Sequence, residues 1–225
     1  GEIDICQTPA AIELGRIEED PALDLISYKG GSLTYMAFNT QKDPAKDENL
    51  RKAVAHAIDI DSIIAVAAEG RGEKATSFWG WDEFGFYDCG GYTRDLDKAK
   101  EILETAGWAE GDDGIREKDG VRAELTMLYP ASDSVRQALA EDSRNQLAEL
   151  GIEVATEGVD WDTAYTRAES EPLVWGWGAH TPMELYNIYH TMSETGLAEY
   201  SPYANETVDK YMDEALKSSN LETSY

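Results

Sequence analysis

The chain has 225 residues, 19 basic and 45 acidic, for a formal charge of −26. A surface of that sign excludes a free-standing nucleic-acid binder, because neutralising phosphates needs a basic face, and it opposes approach to an anionic membrane. A hydrophobic content of 42% with 10% aromatics excludes a disordered chain; the sequence specifies a folded protein long enough to bury a sizeable core.

The opening Gly1-Glu2-Ile3-Asp4-Ile5 has no basic region followed by an apolar run, so any export signal is expected outside this sequence. From Asp47, the residues Leu50, Ala53, Val54, Ala57 and Ile58 recur at helical spacing, with Asp47 placed as the N-cap. His56 falls opposite that stripe and is expected on the surface. A second helix is predicted from Asp61, with Ile63, Ile64 and Ala67 inward and Gly70 closing its last turn. Arg71 to Tyr92 is rich in glycine and aromatic residues without either period, and reads as a long loop. Asp95 is predicted to cap a helix carrying Leu96, Ala99, Ile102, Leu103 and Ala106, closed by Gly107. Val121, Ala123, Leu125, Met127 and Tyr129 alternate as in one half-buried strand, which Pro130 ends. A long helix is expected from Asp133 to Leu150, a strand over Ile152–Thr156, and a short helix from Asp160 carrying Trp161, Ala164, Tyr165 and Ala168. The run from Leu173 to Trp177 is apolar enough for a fully buried strand. This strand, helix, strand, helix, strand order predicts parallel strands joined by right-handed crossovers, an α/β lobe. Asn205 is placed to cap a last helix with Val208, Tyr211, Met212, Ala215 and Leu216.

The usual enzyme signals are missing: there is no phosphate loop, dinucleotide fingerprint, His-Glu-x-x-His or Gly-x-Ser-x-Gly. With 45 carboxylates, no pair can be singled out for acid–base work. Cys6 and Cys89 signal neither a zinc site nor a disulfide framework, although one bridge between them stays open. Trp175 and Trp177 share a strand face, where paired indoles either fill a core or form the flat wall of a small-molecule site. His180 and Thr181 follow, and ligands of open α/β sheets lie beyond the carboxyl ends of the strands. His180 and His190, the latter expected on a helix, are either two imidazoles aimed at a metal or anion, or unrelated residues. Asn205-Glu206-Thr207 is a glycosylation sequon. In ordinary buffer the carboxylates repel one another over about 10 Å, a range that molar salt cuts to about 3 Å. Adaptation to a salt-rich environment is therefore expected; calcium binding is the weaker explanation, since no Asp-x-Asp-x-Asp-Gly loop supports it.

Several blocks in order carry a resemblance: Tyr35-Met36-Ala37-Phe38-Asn39; Leu50-Arg51-Lys52-Ala53 with Ala57-Ile58-Asp59 and Ile63; Asp95 to Trp108; Leu147 to Val154; and Asp160-Trp161 with Tyr165. Together they resemble the solute-binding proteins of peptide and nickel ABC importers, family 5, over about Gly31 to Tyr203. The resemblance implies one lobe of a two-lobed, periplasmic-binding-protein-like fold, with a mixed sheet flanked by helices. On that pattern residues 1–30 are a hinge-proximal segment, 31–203 the ligand-binding lobe, and 204–225 a C-terminal helix leading to a return segment outside the sequence. It further implies an extracytoplasmic receptor, membrane-anchored in its full-length form, that hands a small solute or peptide to membrane permease subunits, with neither catalysis nor a cofactor. The ligand contacts it implies are Trp175, Trp177, His180 and Thr181. Peptide binders of the family carry an Asp-Pro pair after the corresponding strand, whose acid pairs with the ligand's amino terminus. Here the stretch reads Trp177-Gly178-Ala179-His180-Thr181-Pro182. His180 in that place suits a metal complex, an anionic group or an altered peptide mode, and the block from Ile115 to Lys118 together with Trp177-Gly178-Ala179 is similar to the nickel branch. A nickel or metal-chelate receptor using His180 and His190 is therefore the alternative. From other classes come a carboxylate-dependent hydrolase and an interaction module presenting residues 71–92 to a partner protein.

Overall fold

The computed structural model describes residues 3–7, 9–28, 30–78, 87–178, 183–193 and 203–220. In chain order its elements are α1 (Ala11–Glu19), β1 (Ser32–Ala37), α2 (Glu48–Ala57), α3 (Ile60–Ala67), α4 (Leu96–Thr105), β2 (Ala109–Glu110), β3 (Arg116–Lys118), β4 (Val121–Arg122), β5 (Glu124–Pro130), α5 (Ser134–Ala148), β6 (Glu153–Val159), α6 (Trp161–Arg167), β7 (Leu173–Gly178), α7 (Met183–Tyr189) and α8 (Glu206–Lys217).

Helix starts follow local chemistry. Asp47, Asp59, Asp95, Asp133, Asp160 and Asn205 each accept a backbone N–H from the first turn they precede, which satisfies donors a helix leaves open at that end. The second helix therefore starts at Ile60, one residue before the predicted Asp61, because Asp59 is the cap and takes the Ser62 N–H at 3.1 Å.

The main sheet has four strands in the order β1-β7-β5-β6. β5 and β6 run parallel from Glu124 opposite Glu153 to Pro130 opposite Val159. β7 joins β5 parallel, with Leu173 opposite Leu128, and β1 lies antiparallel on β7, with Tyr35 opposite Trp175 and Ser32 opposite Gly178. The parallel units are those predicted, and β1 makes the sheet mixed. β5 stops at Pro130, so among the described residues the last residues of β7 run on with β1 as their only paired strand.

Each face of the sheet has its own core. On one, α2, α3, α4 and α5 enclose Leu50, Val54, Leu103, Met127, Leu147 and Val174; on the other, Ala164 and Ala168 of α6 meet Leu128, Val159, Leu173 and Trp175. Trp161 and Tyr165, predicted to point inward with Ala164, are instead 38% and 41% exposed.

The predicted single strand from Val121 to Tyr129 is two strands in two sheets. Ala123 changes partners midway: its N–H donates to Arg116 O at 2.8 Å, while its carbonyl accepts from Glu153 N at 2.9 Å. Residues before it close the small β2-β3-β4 sheet, and residues after it enter the main one. The predicted strand at Ile152–Thr156 runs on to Val159. His56 is a further correction. It is buried, its Nδ1 lies 3.0 Å from Thr93 O, and its ring meets Tyr92 edge-on at 5.0 Å. The segment leading into α4 lies across the side of α2 that periodicity assigns to water, and it is anchored by Asp95 N to His56 O at 2.7 Å.

α1 buries none of its residues, and Ile3, Ile5, Ile12, Ile26 and Tyr28 around it are exposed. α8 likewise buries none. Cys6 and Cys89 are free and exposed, so the open possibility of a bridge is closed. Among the described residues no helix is long and apolar enough to cross a membrane.

Candidate functional site

β5 and β6 end level at Pro130 and Val159, β7 runs on past them to Gly178, and α5 and α6 start just beyond the first two. Asp133 caps α5 by accepting Arg136 N at 3.0 Å, and its second oxygen takes Arg136 Nη1 at 2.8 Å. One carboxylate thus fixes both the helix start and a guanidinium three residues later. The same logic operates at α6, where Asp160 accepts both the N–H and the hydroxyl of Thr163 at 2.9 Å. These bonds hold the Asp160 carboxyl below the usual carboxylate range, the Thr163 N–H contributing most.

Arg136 lies over this end of the sheet. Its Cζ stands 5.6 Å from the ring centre of Trp161, a cation–π geometry, and its side chain is 19% exposed. Nη2 rests on β7 at Gly176, where a Cβ would come within 2.1 Å of it. The Nε is buried and has no hydrogen-bond partner among the described residues. Trp161 and Tyr165 meet the indole of Trp175 edge-on, at 5.8 and 5.3 Å between ring centres. A half-exposed aromatic wall therefore stands beside a cation that is largely withdrawn from water, in a chain of net charge −26.

Around the β1 edge of the same strand end, Trp177 lines a cavity of about 250 Å³ with Tyr35, Phe38, Arg51, Trp175 and Tyr189. Its Nε1 is buried without a partner among the described residues. Burial pushes both the Tyr35 and the Tyr189 hydroxyls upward in pKa, so both stay neutral hydrogen-bonding groups at any physiological pH. Arg51 turns its Nη1 onto the Ala45 and Lys46 carbonyls at 2.7 and 3.0 Å.

A scan against family descriptions matches residues 1–199 to the bacterial extracellular solute-binding proteins, family 5, middle region. The chain belongs to that family. Oligopeptide-binding protein AppA of Bacillus subtilis is 29% identical over 224 residues, which are 96% of this chain and 41% of that protein. The dipeptide-binding protein of Escherichia coli is 26% identical over 187 residues, 78% of this chain and 32% of that one. The solved structure of B. subtilis AppA with a nonapeptide superposes with a TM-score of 0.86 at 27% identity, covering 95% of this chain and 44% of that one. The chain thus spans about two fifths of the length of AppA, and its mixed α/β lobe is part of a periplasmic-binding-protein fold.

Within this family 5 lobe, Trp175 and Trp177 come together at the strand end. Trp175 serves as core and cavity wall at once, only 6% exposed. His180 and Thr181 lie outside the described residues. His190 is not on a helix; it follows the last residue of α7. It is buried, stacked on Tyr186 at 4.2 Å, accepts Met192 N at 3.0 Å on Nδ1, and brings Nε2 to 3.6 Å from Asp213 Oδ1 of α8. Among the described residues no group of three or more His, Cys, Asp or Glu is arranged to hold a metal ion. Arg136 is the residue that sequence reasoning passed over. Its signal was present: an Asp-x-x-Arg opening a helix directly after a strand end puts a cation where ligands of such sheets collect.

Proposed function

We propose that this chain is the ligand-binding lobe of a two-lobed extracytoplasmic receptor for peptide-type solutes, which delivers them to the permease of an ABC importer. Residues 1–30 are read as the segment toward the hinge, 31–203 as the lobe, and 204–225 as a helix leading back. The ligand lies beyond the carboxyl ends of β5, β6 and β7, against Trp161, Trp177 and the stretch holding His180 and Thr181.

The observation that carries this reading is Arg136: a guanidinium mostly removed from water, backed by an indole and sharing a single carboxylate. A cation so placed recognises a ligand carboxylate strongly, because charge-assisted hydrogen bonds gain in a partly desolvated site. A solute with a terminal carboxylate and apolar side chains against the aromatic wall fits both features. The names of the relatives, oligopeptide- and dipeptide-binding proteins, agree with that chemistry. The acidic surface is read as an adaptation to high salt.

The test is thermal shift of the complete receptor in molar KCl, with a pool of short peptides, the same pool amidated at the carboxyl terminus, and Ni²⁺-histidine. Ligand at 100 times Kd adds about 2.7 kcal/mol to stability, readily visible as a shift. Stabilisation by the free-acid pool that is lost with Arg136→Gln is the expected result. Stabilisation by Ni²⁺-histidine alone, abolished by His180→Ala or His190→Ala, would instead establish the metal-chelate receptor. Turnover of the peptides would establish an enzyme.

A further inference from the structure

We infer that Gly176 is a positioning residue for ligand recognition: the missing side chain on β7 is the seat of the Arg136 guanidinium. This rests on the reading of Arg136 as the carboxylate anchor, and it adds what sets the reach of that anchor.

Three contacts from three elements define where the guanidinium stands. Asp133, ahead of α5, holds Nη1 at 2.8 Å. Trp161, opening α6, covers the cation with Cζ 5.6 Å from its ring centre. β7 supplies the third, where a Cβ at Gly176 would lie 2.1 Å from Nη2 and 3.2 Å from Cζ, with Leu33 O at 3.3 Å on its other side. A separation of 2.1 Å is far inside van der Waals contact, so any side chain at position 176 and this placement of Arg136 exclude each other. Strand geometry does not call for glycine there, since no left-handed backbone angle is recorded at Gly176. The clash is instead with the far end of a long, flexible side chain, which can swing aside. Alanine at 176 therefore leaves the fold in place and moves the cation. The same site falls where β7 has outrun β5, so the space beside Gly176 is filled by the arginine rather than by a neighbouring strand.

The consequence concerns ligand class. With Gly176, the guanidinium can point Nη2 straight at the strand end while Asp133 holds Nη1, a fixed orientation in which its N–H groups not taken by Asp133 are placed for a ligand carboxylate. A displaced guanidinium keeps its charge but loses that geometry. Recognition of the carboxylate then weakens, while contacts of the aromatic wall with the rest of the ligand persist.

The experiment compares wild type, Gly176→Ala, Arg136→Gln and the double variant in the complete receptor. It measures affinity for the peptide pool with free carboxyl termini and for the amidated pool. Gly176→Ala is expected to melt close to wild type and to lose about tenfold of the preference for the free acid, the size of a charge-assisted hydrogen bond. Affinity for the amidated pool is expected to be unchanged, and in the Arg136→Gln background the alanine is expected to cost nothing more. A Gly176→Ala protein that keeps the full preference overturns the positioning role. So does a loss that is equal for both pools. If Gly176→Ala misfolds, the double variant decides: recovery of folding supports the clash with Arg136, and persistent misfolding overturns it. Arg136→Gln with an undiminished preference would refute the anchor itself, an outcome separate from all of these.

Discussion

Asp47 offers the sharpest test of how this lobe is held together. Its Oδ1 caps α2 by accepting Asn49 N at 2.8 Å, while Oδ2 takes the indole N–H of Trp108 at 3.1 Å and the Lys118 ammonium at 2.6 Å. One side chain thus ties α2 to the turn after α4 and to β3. Replacing it with alanine removes the cap, worth about 1 kcal/mol. It also orphans the indole N–H of a tryptophan only 2% exposed, a loss of about 1–3 kcal/mol. The ion pair has side chains 30% and 16% exposed and adds less, at most about 1 kcal/mol. The sum is about 2–5 kcal/mol, a large share of the roughly 5–15 kcal/mol that holds a domain folded. Asp47→Asn keeps the cap but turns an amide N–H₂ toward two donors, so it should recover only about 1 kcal/mol of this. Urea denaturation in molar KCl, followed by tryptophan fluorescence, measures both. An Asp47→Ala cost no larger than that of a lost cap would refute the reasoning. The pH dependence is a second check. Partial burial works to raise the Asp47 carboxyl, but the bonds from Lys118, Asn49 and Trp108 outweigh it and hold the group below the usual range. Its contribution is therefore complete above the unfolded value of about 4 and is lost as pH falls through the lower folded value. The gap between wild type and Asp47→Ala should narrow only below about pH 4.

Three further outcomes follow from particular residues. Gly107 and Gly151 both have positive φ, but a Cβ on Gly107 meets nothing within 4 Å, whereas one on Gly151 would stand 2.5 Å from Gly114 O. Gly107→Ala should cost about 1 kcal/mol and Gly151→Ala distinctly more; equal costs in thermal melts would show that backbone angle alone matters. His56→Ala should destabilise by about 2 kcal/mol, since it deletes a buried ring and its bond to Thr93 O. A cost within about 0.5 kcal/mol would return His56 to the surface. Raising KCl from low to molar concentration should raise the melting temperature, because screening relieves repulsion in a chain of charge −26. A flat or falling salt profile would remove the argument for salt adaptation.

Much of this architecture is legible locally. A polar cap followed by an apolar stripe needs only a dozen consecutive residues to be seen: Asp47, Asp95 and Asn205 cap helices as the sequence suggests, and Asp133 and Asp160, read as helix starts, prove to be caps too. What was hidden depends on distant partners. β2 and β3 are two and three residues long, too short to show an alternation, and they exist only because they pair with each other and with β4. Ala123 looks like one more inward strand residue until its two hydrogen bonds are seen to lead to different sheets. The burial of His56 depends on Tyr92 and Thr93, some 37 positions along the chain. At the site, the two indoles of β7 could be placed from alternation. The partner of the Arg136 guanidinium could not, since Gly176 is remote in sequence and contributes by having no side chain.

Arg116 clamps the end of the lobe opposite the candidate site. Almost fully buried, it donates from Nε to Leu150 O at 2.8 Å and from Nη1 to Trp108 O at 2.7 Å, while its own N–H reaches Gly151 O at 2.8 Å. A single permanent cation thereby staples the exits of α4 and α5, each the negative pole of its helix, at the amino-terminal end of the parallel strands. With that end clamped, slow amide exchange should concentrate around residues 103–125. On the proposed reading, any adjustment to an arriving solute is then left to the opposite rim, where α5, α6 and β7 carry Arg136, Trp161 and Trp177.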